Sequence, residues 1–144
     1  MTGVRAYVDG ACRGNPGPGG WGVVIDGDVK HEISGATHHT TNNQMELTAA
    51  IEALKLFNSP VSIHIFTDST YVKNGITNWI HGWKVNGWKN ASNKPVKNKE
   101  LWEELDQLCQ KHQVRWLWIT GQSGYPDNDR AYQLANKAID DLLG

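Results

Sequence analysis

Apolar and polar residues follow several different periods along the chain, and each change of period marks an element. Residues 5–9 read as a strand that Asp9 closes, and the glycine-rich 14-GNPGPGGWG-22 then reads as a turn. Strand-like runs follow at 21–25 and near 31–34, with Asp26-Gly27 between them as a hairpin signal. From residue 41 to 57 the period lengthens to that of a helix. Thr48, Glu52, Lys55 and Ser59 share one face, and Ala50, Ala53, Leu54 and Phe57 share the other. Residues 61–69 return to alternation, with Val61, Ile63 and Ile65 set against Ser62 and His64, and this strand ends at Asp68. Helical patterns fill 70–83 and 99–112, residues 114–120 are rich in β-formers, and a last helix spans about 127–143. The order β-β-β-α-β-α-α-β-α predicts an α/β fold with a mixed sheet, three antiparallel strands and then parallel ones, flanked by helices. Residues 1–144 contain no linker, repeat or low-complexity tract and are expected to form one domain.

Glu46 breaks the pattern of the first helix. It falls in the middle of the apolar face, where an ionised carboxylate is rarely buried unless paired or bound to a cation. A position near the solvated helix start, or capping chemistry, would also account for it. Asp9 and Asp68 have ordinary readings too, as turn and helix-cap residues. Taken together they suggest more. Sites in such sheets form at the carboxyl ends of strands. Three carboxylates converging there would raise one another's pKa values unless a cation stood among them. Oxygen donors of this kind suit Mg²⁺ or Mn²⁺ rather than Zn²⁺.

Composition and charge narrow the function. No apolar run approaches the ~18 residues that span a bilayer, so no membrane role is expected. Cys12 and Cys109 make neither a disulfide framework nor a metal knuckle, which points to the reducing cytoplasm. His38 and His39 read as loop residues. The net charge of −1 hides an asymmetry. Residues 69–99 contain six lysines and no acid, a net +6, so the remainder sums to −7. Tyr71, Trp79, Trp83 and Trp88 are interleaved with Lys84 and Lys89 in this stretch. Lysines track phosphates while flat rings pack on sugars and bases, so the combination favours a nucleic-acid partner over a merely solvated face. The glycine-rich segment is not a nucleotide cradle, because it lacks the Lys-Ser/Thr of a P-loop and leads into a strand.

The motifs 8-VDGACRGNPGPGGWG-22, 40-TTNNQMEL-47, 67-TDSTYV-72, 75-GITNWIHGWKVNGWK-89 and 95-PVKN-98 resemble those of the type 1 ribonucleases H, in the bacterial form with a basic protrusion. The resemblance runs nearly end to end. It implies a ribonuclease H-like fold with a five-stranded mixed sheet. It also implies a monomeric endonuclease that hydrolyses the RNA strand of RNA/DNA hybrids with two Mg²⁺ or Mn²⁺ ions, leaving a 5′-phosphate and a 3′-hydroxyl. On that resemblance Asp9 would bridge both ions, while Glu46 and Asp68 would hold the one at the leaving 3′ oxygen. Asn15, Asn42 and Asn43 would contact the minor groove and the RNA 2′-hydroxyls, the groups that distinguish RNA from DNA. Thr41 and Asn98 would grip a DNA phosphate, with His39 where the family often has arginine. Tyr71, Trp79 and Trp83 would line the channel for the DNA strand.

The C-terminal motif 121-GQSGYPDNDRAYQLANKAID-140 departs from that family. Gln122 stands where a mobile histidine is usual, and Tyr132 stands where the fourth carboxylate is usual. Glutamine cannot titrate, and a neutral phenol is a poor ligand for Mg²⁺. Three outcomes stay open at this level: activity with a weakened ion site, substitution by Asp129 or Asn136 on the same helix face, or a catalytically impaired module that binds hybrids.

Overall fold

The structure is a computed structural model and describes residues 3–120 and 124–144. Strands β1 (Val4–Cys12), β2 (Gly17–Asp26) and β3 (His31–Thr40) form an antiparallel meander. Strands β4 (Ser62–Thr67) and β5 (Gln113–Trp118) extend it in parallel, giving the sheet order β3-β2-β1-β4-β5. Helices α1 (Asn42–Lys55) and α4 (Lys99–Lys111) pack together on one side, and α5 (Pro126–Leu143) lies against β1, β2 and β3. Between β4 and α4 the chain forms α2 (Thr70–Asn74), a π-helical turn (Gly75–Trp79) and α3 (Ile80–Val85). The expected α/β mixed sheet is the one observed.

The pleat of β1 explains the two layers. Ala6 and Val8 enter the larger core with Leu47, Ala50 and Leu54 of α1 and with Trp102 and Leu105 of α4. Tyr7 turns the other way, stacks on Phe66 at 4.4 Å and meets Ala131 and Leu134 of α5. Leu47, Leu54 and Trp102 are fully buried, each contributing on the order of 1.5–3 kcal/mol. Three ion pairs tie α5 and its neighbours: Lys30–Asp127 at 2.8 Å, Arg130–Glu32 at 2.7 Å and Arg13–Asp140 at 2.7 Å. Solvent screens exposed pairs of this kind, so they orient the helix more than they stabilise it.

Several expectations need correction. Asp9 does not close β1. The strand is central and paired on both sides, and its ladder with β2 continues to Cys12 opposite Gly19. The glycine-rich segment is mostly strand rather than turn, because β2 begins at Gly17. Gly20 and Gly22 make room for α5, since a Cβ at Gly20 would run into the Ala135 carbonyl oxygen and one at Gly22 into that of Ala131. The chain reverses only over the residues spanned by the Arg13 N–H to Pro18 carbonyl hydrogen bond. His38 and His39 are exposed residues of β3, not of a loop. The helix expected over 70–83 is present and runs to Val85, with a π-helical turn inserted from Gly75, which lies so close to the Trp102 indole that a side chain would collide with it.

Candidate metal centre and nucleic-acid face

Three different elements deliver the acids to one place. The parallel register sets Tyr7 opposite Phe66, so Asp9 and Asp68 lie two residues further along neighbouring segments. Glu46 arrives from the other direction. The first turns of α1 cross directly over Gly10, whose N–H donates to Glu46 Oε1. A Cβ built on Gly10 would sit 2.7 Å from the Glu46 nitrogen. Asp9, Glu46 and Asp68 can each offer an oxygen within 4.8 Å of the others, with Asp9 and Glu46 buried and Asp68 half-buried. Glu46 therefore belongs to a carboxylate cluster and not to a solvated helix end.

The close crossing makes Gly10 a test of the site. Gly10→Ala is expected to push α1 outward, costing about 1–3 kcal/mol of stability as overpacking does, and to weaken Mn²⁺ binding. Thermal unfolding and a Mn²⁺ titration check both effects.

The electrostatics agree with the geometry. Burial pushes the Asp9 carboxyl up to about 6, the Asp68 charge adds to the rise, and hydrogen bonds from Glu46 and the Gly10 N–H oppose it. Glu46 is held well above the usual carboxylate range, first by burial and then by the Asp9 charge. Asp68 is raised by burial, against its own backbone N–H and the Asn128 amide. Ionising all three together is unfavourable without a cation. The donor set is all oxygen, as a hard divalent ion requires.

These acids lie in a cleft of about 730 Å³ that Asn42, Asn43 and Tyr71 also line. Tyr132 and Asp129 line it from α5, as does Asn128. Tyr132 is 53% exposed and adds no carboxylate to the cluster. Asp129 shares the cleft without joining the three gathered acids. Asn136 is not among the residues that line the cleft. Its Nδ2 donates to the Tyr132 carbonyl and its Oδ1 faces the Arg13 guanidinium at 3.5 Å. Gln122 lies outside the described residues.

Thr41 and Asn98, expected to grip a phosphate, are joined by Gln44, whose importance the sequence pattern did not reveal. Thr41 caps α1, its Oγ1 accepting from the Gln44 N–H at 3.2 Å. The Gln44 Nε2 donates to Asn98 Oδ1 at 3.1 Å, and Asn98 Nδ2 donates to the Tyr71 hydroxyl at 3.1 Å. Asn98 holds this position from a left-handed backbone, φ 60°. Asn15 sits beside them, its Oδ1 accepting from the Asn42 N–H at 3.0 Å. Among the described residues the Thr41 hydroxyl donates to no protein acceptor.

Trp79 and Trp83 do not stand alone. Tyr71–Trp79 and Trp79–Trp83 centroids are each 5.8 Å apart, Trp83–Trp88 6.3 Å and Trp83–Trp102 5.4 Å. The buried Trp102, which no sequence signal singled out, braces this row and donates its Nε1–H to the Tyr71 hydroxyl at 3.0 Å. Trp79 is exposed, whereas Trp83 and Trp88 pack partly on the core and keep one side open. Lys84 pairs with Asp106 at 3.3 Å. Among the described residues it is the one lysine of the six in an ion pair, so Lys89 and the others keep an uncompensated charge.

Known proteins resemble this chain in sequence and fold. The family model described as RNase H matches residues 1–140. A ribonuclease H of Bradyrhizobium diazoefficiens is 57% identical over 137 residues, covering 94% of this chain and 89% of the relative. One of Hydrogenovibrio crunogenus is 54% identical across 100% of both chains. Among solved structures, LC9-RNase H1, a type 1 RNase H with the type 2 active-site motif, superposes with a TM-score of 0.85 at 34% identity, covering 96% of this chain and 72% of that one. LC11-RNase H1 in complex with an RNA/DNA hybrid gives 0.76 at 27% identity, covering 98% and 99%. With a family match that takes in the acidic cluster and the aromatic row alike, the chain belongs to the ribonuclease H family.

Proposed function

We propose that this chain is an endonuclease that hydrolyses the RNA strand of RNA/DNA hybrids at the Asp9, Glu46 and Asp68 centre, leaving a 5′-phosphate and a 3′-hydroxyl. The observation that carries the reading is the gathering of those three carboxylates within 4.8 Å, in a cleft that Asn42 and Asn43 border. Asp9, buried beside Glu46, would hold two ions, and Glu46 and Asp68 would hold the one at the leaving oxygen. The bound ions, Mg²⁺ or Mn²⁺, supply an activated water and neutralise the departing 3′ oxygen. Asn15, Asn42 and Asn43 read the ribose strand, where only RNA offers a 2′-hydroxyl. The Thr41 hydroxyl and the neighbouring Asn98 receive a phosphate of the DNA strand. Tyr71, Trp79, Trp83 and Trp88 form the wall along which that strand lies, with Lys84 and Lys89 beside its phosphates.

A labelled hybrid incubated with Mg²⁺ or Mn²⁺ tests this. Short RNA products ending in 3′-hydroxyls are expected, and an RNA strand left intact at high enzyme concentration overturns the activity. Binding is expected to weaken steeply with salt, because the lysines release counterions from phosphates. One observation favours a second reading. Tyr132 occupies the lip of the cleft without a charge to hold an ion. A hybrid-binding module without cleavage would bind as tightly and leave the RNA whole.

A further inference from the structure

A series of polar side chains runs beneath the aromatic row, and its direction matters. The Thr40 hydroxyl donates to Gln44 Oε1 at 2.8 Å, Gln44 Nε2 donates to Asn98 Oδ1 at 3.1 Å, and Asn98 Nδ2 donates to the Tyr71 hydroxyl at 3.1 Å. From the other side the Trp102 Nε1–H reaches the same hydroxyl at 3.0 Å. An indole can only donate. The Tyr71 oxygen therefore accepts twice, and its own proton has no partner in the series. Turning both amides round would give the reverse order, with Tyr71 donating to Asn98, Asn98 to Gln44 and Gln44 to Thr40. The Thr40 hydroxyl would then have to place its proton elsewhere. It is 4% exposed, and among the described residues Gln44 Oε1 is its only acceptor. A hydroxyl proton stranded in the interior forfeits its hydration, whereas Tyr71 is only half-buried and lines the cleft. The buried end of the series thus sets its direction, and the spare proton emerges at the cleft.

We propose that Tyr71 binds substrate through this proton: its hydroxyl donates to a phosphate oxygen of the strand that lies on the aromatic row. The inference rests on the reading of that row as the bed of the DNA strand. It gives Tyr71 a polar role beside the apolar one that its ring shares with Trp79, 5.8 Å away. With its acceptor sites filled from behind, Tyr71 has only a donor to offer the cleft, and so does Asn98, whose Oδ1 is taken by Gln44. Donors alone are what a phosphate oxygen requires.

The test is hybrid binding without divalent ions, so that the RNA stays whole, using short hybrids whose DNA strand carries one neutral methylphosphonate linkage at each position in turn. Tyr71→Phe is expected to weaken binding of the unmodified hybrid about 10-fold, as loss of a hydrogen bond to a charged group does. At one linkage the methylphosphonate is expected to cost the parent about 10-fold or more and Tyr71→Phe about threefold or less, while the other linkages cost both proteins alike. The fall should persist in an Asn98→Gly background, glycine being at ease at the left-handed φ of 60° that residue 98 adopts. A profile of penalties that Tyr71→Phe leaves unchanged at every linkage overturns the inference, even where binding weakens overall, because it assigns the hydroxyl to structure alone. A fall that disappears in the Asn98→Gly background overturns it as well, since Tyr71 then acts through Asn98. A parent that binds no hybrid removes the reading of the aromatic row, and the inference with it.

Discussion

Asp9→Asn is expected to abolish cleavage and, in the absence of divalent ions, to stabilise the fold. Both effects come from one carboxylate. Asp9 is one of the three gathered carboxylates, so on the proposed assignment its loss removes a ligand of both ions; at ~1.4 kcal/mol per decade, a loss of ~4 kcal/mol or more corresponds to at least about 10³ in rate. The stability effect has the opposite sign. The folded carboxyl titrates at about 6, above its ordinary value of 3.8, because burial disfavours the charge and Asp68 repels it. A raised carboxyl means that the folded state holds the proton more tightly than the unfolded one. Its contribution is therefore present below about pH 4 and is lost as the pH rises through about 6. At pH 7 the metal-free parent bears that loss in full, up to about 3 kcal/mol, and the shift of Glu46 has the same sign. Asparagine is never charged. The variant should gain about 1–3 kcal/mol at pH 7, part of the benefit being offset by a weaker contact with Glu46, and the gain should vanish near pH 4. Adding Mn²⁺ should stabilise the parent and not the variant. Melting curves from pH 4 to 8, with and without Mn²⁺, decide it, and a metal-free variant no more stable than the parent at pH 7 would refute the charge-cluster account.

Tyr132→Asp is the complementary experiment, adding a charge instead of removing one. Residue 132 lines the cleft beside the three acids and is 53% exposed, so an aspartate there would face them without being buried. A fourth carboxylate near a divalent ion, at an effective dielectric of about 20, adds on the order of 1–3 kcal/mol of attraction and hence about tenfold to a hundredfold in Mn²⁺ affinity. The metal-free protein should become less stable, since the same charge now repels Asp9 and Asp68. Cleavage at low Mn²⁺ should rise by a comparable factor and converge with the parent at saturation. If the affinity is unchanged, residue 132 does not reach the ion, and the departure from the family pattern at this position has no electrostatic consequence.

The site was only partly legible in the chain. Glu46 was visible because a carboxylate on a greasy helix face violates a simple rule, and Asp9 and Asp68 because strand-end acids recur at sites. Asn128 gave no such signal. An asparagine near a helix start reads as a routine polar residue, and only the fold shows it buried in the wall of the cleft. Gln44 was hidden for a similar reason, since a glutamine in the first turn of a helix is ordinary until Asn98, 54 positions away, is found bonded to it.

Local periodicity determined the order of elements, the amphipathic first helix and the mixed sheet, because alternation and helical spacing follow from backbone geometry alone. It also determined which acids were out of place. The tertiary structure decided the rest. It extended β1 past Asp9 through its ladder with β2, turned the glycine tract into a strand on which α5 lies, and set a π-helical turn into a helix where Gly75 meets Trp102. Each of these depends on contacts between residues distant in the chain, and no local pattern records which surfaces will be pressed together.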